Sequence, residues 1–143
     1  MENLQQLFAN KTADKKYDLV LSHIVTGNKI WFLDKKGELI FYQNEQGKPV
    51  APLWSDAQFA KENPPPKSEI EAVDMDVETF LLQFTLFLFN SQTQIAISPH
   101  PDDTEVITLG ALNFARDLIE KIREVEGEDK ALFYLNELKK IIK

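Results

Sequence analysis

The stretch "KIWFLDKKGELIFYQNEQGKPV", residues 29–50, decides the fold. Two β-rich runs flank Asp34-Lys35-Lys36-Gly37, a loop whose glycine can supply a positive φ, and Asn44-Glu45-Gln46-Gly47 offers a second turn. This is the pattern of an antiparallel hairpin or of the start of a meander. The segments on either side of it have a different period, so the chain mixes strands with helices.

On the N-terminal side, "LQQLF" puts Leu4, Leu7 and Phe8 on one helical face, and "YDLVLSHI" repeats the pattern with Tyr17, Val20, Leu21 and Ile24 before Gly27, a natural stop. On the C-terminal side, Ser55 or Asp56 can cap a short helix, "DAQFAKE", which Pro64-Pro65-Pro66 must end. "EIEAVDM" reads as a further strand. Asp76 then caps "VETFLLQFTLFLFNS", with Glu78 in its first turn; Phe80, Phe84 and Phe87 recur at helical spacing and leucines fill the other sides. That helix is expected to be buried all round, and a strand over its second half is the alternative. Trp31 and Trp54 are expected to be withdrawn from solvent against Phe80–Phe89.

"QIAIS" and "EVITL" bracket Pro-His-Pro-Asp-Asp-Thr, which predicts that Ile95–Ser98 and Glu105–Leu109 are antiparallel neighbours with an exposed loop between them. "LNFARDLIEKIREVEG" lines up Leu112, Ala115, Leu118, Ile119 and Ile122 and stops at Gly127. A last helix carries Leu132, Leu135, Leu138 and Ile142 along one side, with lysines at its carboxyl end where they suit the dipole. The fold class is therefore α+β: an antiparallel sheet of hairpins packed against helices, with helices at both ends. One domain spanning residues 1–143 is the default at this length, and such a chain buries roughly two thirds of its unfolded surface without staples.

Composition narrows the function. There is no cysteine, so there are no disulfides and no thiolate metal sites, which fits a reducing compartment and predicts a cytoplasmic protein. The N-terminus lacks the pattern of a secretory signal. The longest apolar run, Phe80–Phe89, falls short of the ~20 residues that cross a bilayer, so no membrane partner is expected. A net charge of −7 with scattered lysine pairs argues against nucleic acid, whose phosphates need clustered bases. The same acidity suits a basic protein partner as well as plain solubility.

"IAISPHPDDTEV" resembles the start of the zinc-dependent deacetylases of the LmbE and PIG-L type, in which a strand runs into Pro-His-Pro-Asp-Asp. That resemblance implies His100 and Asp103 as zinc ligands and Asp102 as general base on the bound water. The later parts of that pattern are missing: no histidine follows Asp103, and the other imidazole, His23, lies far upstream on a helical face. The stretch is read as a turn, and hydrolysis is kept as the alternative. Stoichiometric zinc lost in His100→Ala would mark that chemistry.

A longer resemblance runs from about Val25 to Ile122. "IWFLDKKGELIFYQNEQGKPVAPLWSDAQFAKE", "IEAVDMDVETFLLQF" and "IAISPHPDDTEVITLGALNFARDLIEKI" are similar, in that order, to the small bacterial family called domain of unknown function twenty-seven fifty. It implies an α+β fold with an antiparallel sheet, similar in layout to SseB-type domains, and no catalytic residues. On this reading residues 28–126 are the family-like core, 1–27 a longer N-terminal helical region, and 127–143 an appended helix. No cofactor is expected, and no catalytic or metal-binding residue is assigned outside the hydrolase alternative.

The function expected from these readings is a non-enzymatic protein-binding domain, of immunity or adaptor type. It is expected to be a monomer, or a homodimer through the C-terminal helix. A paired-carboxylate enzyme would use Glu69, Glu71 or Asp74, but alternating acids along a strand usually mark its wet face.

Overall fold

The computed structural model describes residues 13–56, 70–97 and 107–141. The helix predicted over Leu4–Phe8, the one in "DAQFAKE" and the Pro-His-Pro-Asp-Asp loop lie outside these residues. Helix α1 (Ala13–Gly27) leads into β1 (Ile30–Lys35), β2 (Glu38–Leu39), β3 (Tyr42–Gln43), β4 (Pro49–Leu53) and β5 (Ile70–Met75). A composite helix α2 (Val77–Thr79, Phe80–Phe84 and Thr85–Asn90) follows, then β6 (Gln94–Ile97), β7 (Thr108–Gly110), α3 (Ala111–Glu126) and α4 (Glu128–Ile141).

The opening hairpin forms where the sequence places it. Lys36 and Gly37 adopt φ of 53° and 87°, and the Gly37 N–H donates to Asp34 Oδ1 at 2.8 Å, closing the turn between Asp34↔Leu39 and Lys35↔Glu38. The left-handed pair needs the glycine because a side chain there meets its own carbonyl. The second turn closes as Asn44 Oδ1 accepts from the Gln46 and Lys48 N–H groups, and it joins β3 to β4.

The class is α+β with mostly antiparallel pairing, in two sheets ordered β2-β1-β5 and β3-β4-β6-β7. One pair departs from the hairpin pattern: β4 runs parallel to β6, from Val50↔Gln94 to Leu53↔Ile97. β6 and β7 are antiparallel, as expected, through Gln94↔Gly110, Ile95↔Leu109 and Ala96↔Thr108. The two sheets meet at Trp31 and Trp54, which exchange backbone hydrogen bonds of 2.8 and 2.9 Å. Trp54 is buried in the core and Trp31 is half-buried against it, as expected.

Asp76 caps α2, its Oδ1 accepting from the Thr79 N–H at 3.0 Å. The helix then widens. Over Phe80–Phe84 the turn is of π type, and the Thr85 N–H reaches back five residues to the Phe80 carbonyl. Thr85 is fully buried, and its hydroxyl bonds to that same carbonyl at 2.9 Å, so the apolar surroundings leave no polar group unpaired there. The expectation that α2 is buried all round is corrected: Gln83, Phe87 and Phe89 face solvent, because the sheets and helices cover only part of its circumference. Its second half is helical, so the strand alternative does not hold.

Helix α3 buries Ala115, Leu118, Ile119 and Ile122, as its spacing predicts, and ends at Gly127, whose φ of 107° turns the chain into α4. Helix α4 packs back on α3 and on the π turn. The side it buries is Ala131, Tyr134 and Leu138; of the predicted row, Leu132 lies exposed, Leu135 is half-buried and Ile142 falls outside the described residues. The seam with α3 selects a stripe rotated from the all-leucine one.

A polar seam ties α1 to α3. Lys121, itself buried, donates to Asp18 and to Glu124, and the Tyr17 hydroxyl donates to Asp117 at 2.7 Å. Burial raises the Tyr17 phenol above its ordinary range, and the Asp117 hydrogen bond and charge add to this. The hydrogen bond to Asp18 raises Lys121 against the opposing effect of its burial. Both groups hold their protons more tightly folded than unfolded. Their contribution is therefore complete below about pH 10 and is lost as pH rises beyond it, up to about 1.4 kcal/mol per pH unit for each proton released. Urea midpoints should fall steeply between roughly pH 9 and 11 on these reference values, and Tyr17→Phe should flatten the fall. An unchanged slope in that variant would remove Tyr17 from the account.

Candidate binding surface

Six phenylalanines run from the core to the surface. Phe114 on α3 and Phe80 on α2 are fully buried and meet edge to face with ring centres 5.4 Å apart. Phe80 continues to Phe84 at 5.8 Å, and Phe84 stacks on Phe87 at 5.6 Å. Phe32 of β1 supports the row from beneath, 5.4 Å from Phe84, and Phe41, just before β3, lies 6.5 Å from Phe84 and 6.4 Å from Phe87. Exposure rises along the row, from Phe80 at 0% through the half-buried Phe84 and Phe41 to Phe87 at 53%. The outer rings are thus held in a fixed arrangement by buried ones, each such pair contributing about 0.5–1.5 kcal/mol beyond its buried area.

Two local features build this surface. The spacing 80, 84, 87 keeps three rings on one line of α2, and the link from β2 to β3 carries Phe41 across to them. Neither element contains a formal charge: none occurs in Leu39–Asn44 or in Thr79–Ile97, in a chain of which 27% is charged. Those charge-free runs were the signal available in the sequence, and reading α2 as wholly buried hid it.

The other candidate residues are not gathered into a site. His100, Asp102, Asp103 and Glu69 lie outside the described residues. Glu71 and Asp74 are both exposed on β5 but three residues apart, hence on opposite faces of the strand, and Asp74 pairs with Lys29 at 3.2 Å. His23 is half-buried on α1. Among the described residues, no group of three or more His, Cys, Asp or Glu side chains is placed to hold a metal ion. No helix among them is long and apolar enough to cross a membrane. A cleft lined by Asn28, Ile122, Glu126, Lys130 and Tyr134 measures about 10 Å³, room for a single water and too little for a substrate.

No curated protein matches the chain. A family model does, over residues 17–118, and its span runs from the start of the α1–α3 seam through both sheets and the aromatic row to the middle of α3. The chain belongs to the family described as Protein of unknown function (DUF2750).

Proposed function

We propose that this domain is a non-enzymatic protein-binding module of immunity or adaptor type, whose partner docks on Phe41, Phe84 and Phe87. One observation carries the reading: the outer aromatic rings sit on two charge-free segments of an otherwise highly charged chain. The cores of protein interfaces are depleted of charge and enriched in aromatic residues, and rigidly supported rings give up little freedom on binding. The net charge of −7 favours a partner that is basic around the apolar contact, and the cysteine-free composition suits the cytoplasm. For self-association we propose the outer side of α4, where Leu132 and Phe133 are exposed.

A photo-crosslinking residue at position 87 should capture a specific partner from cells of the source organism. In the reconstituted pair, Phe87→Glu should weaken binding by about thirtyfold or more, the scale of an anchor residue. The substitution is at an exposed site, so stability should change by about 0.5 kcal/mol at most. An affinity unchanged by Phe87→Glu would sink the reading.

A further inference from the structure

We propose that the outer edge of β5 is a second docking site, one that takes an extended, basic segment of a partner protein by strand addition. β5 ends the sheet β2-β1-β5, and no described strand lies beyond it. Its register with β1 is unbroken over six residue pairs, from Ile30↔Met75 to Lys35↔Ile70, so one alternate set of its N–H and C=O groups points to β1 and the other points outward. Proteins usually blunt such an edge with a short strand, a proline, a bulge or a lysine. This one is six residues long and contains none of them.

Its side chains fit a partner as well. No β5 residue is fully buried; Ile70, Ala72, Val73 and Met75 are all partly open, while β1 beside it buries Ile30, Phe32 and Leu33. The only charges from Ile70 to Ile97 are four acids, Glu71, Asp74, Asp76 and Glu78, and all four are exposed. Glu71 and Asp74 lie on opposite faces of the strand, so a cationic residue opposite each requires bases spaced three apart with apolar residues between them. The Lys29–Asp74 pair is exposed at both ends and can be shared.

The same charges disfavour a second copy of this chain. Antiparallel pairing of two β5 edges about a two-fold between Ala72 and Val73 sets Glu71 opposite Asp74 in both halves, and like charges opposite one another destabilise a ladder. The edge thus repels itself and selects a base.

The test uses the full chain and an eight-residue Val/Thr peptide with lysines at its third and sixth positions, compared with its glutamate counterpart at low salt. Amide exchange followed by NMR should show the outward-facing amides of β5 open in the free protein and protected when the lysine peptide is added. The lysine peptide should bind roughly tenfold more tightly than the glutamate peptide, and the double variant Glu71→Lys, Asp74→Lys should invert that order. Outward amides already protected in the free chain, equal affinities, or perturbation confined to other elements would each overturn the proposal. Phe87→Glu should leave peptide binding unchanged, which separates this edge from the aromatic surface.

Discussion

Phe80→Ala should destabilise the protein by about 3–5 kcal/mol, the range for a buried phenylalanine that leaves a cavity. Phe80 is fully buried and its ring contacts those of Phe32, Phe84 and Phe114, so it joins β1, α2 and α3 at one point. The π turn begins at this residue, and the Phe80 carbonyl accepts two hydrogen bonds from Thr85, which limits how far the backbone can close over the gap. A domain of this size has about 5–15 kcal/mol in all, so the variant should be largely folded in water and unfold early in urea. A midpoint shift equivalent to less than about 1 kcal/mol would show that the row is not held from its buried end.

Removing α4 should have a larger effect. Truncation after Gly127 deletes Tyr134 and Leu138 from the core and uncovers Ile122 and the π turn against which α4 packs. Each large apolar side chain moved into water costs about 1.5–3 kcal/mol, and several change environment together, giving a loss of about 5 kcal/mol or more. The truncated chain should therefore lose its near-ultraviolet circular dichroism and its cooperative urea transition. The matched family span ends at residue 118, so this helix is outside it and yet completes the core. A truncated chain that unfolds cooperatively at the full-length midpoint would contradict this. Sedimentation of the same pair tests self-association: a dimer that persists in a folded, truncated chain would place that interface elsewhere.

Much of the fold was legible because local chemistry fixes it. Gly37, Asp76 and Gly127 each do in the structure what their residue type dictates: a left-handed turn, a cap, a stop. The parallel pairing of β4 was not legible. "PVAPL" holds two prolines, which speak against a strand, and its partner β6 lies beyond β5 and α2, where periodicity carries no information. The stripe buried by α4 was ambiguous for another reason: Leu132, Leu135 and Leu138 on one side compete with Ala131, Tyr134 and Leu138 on the next, and only the α3 surface decides between them. Of the binding surface, the rings were visible at 80, 84 and 87, but their gradient of exposure depends on how far Phe41 and the sheets extend. The outer edge of β5 depends on strand order, which a run such as "EIEAVDM" does not encode.

The parallel β4–β6 pair also sets the order in which the chain can assemble. The two hairpins, β1–β2 and β3–β4, close over a few residues and can form in microseconds. β4 finds β6 only after β5 and α2 have crossed between them, so the ladder that unites the second sheet is a late event with a high entropic cost of closure. Until then Val50, Ala51 and Leu53, all buried at the end, stay uncovered on a strand with an open side. The speed of the crossover thus governs how long the nascent protein is prone to aggregate.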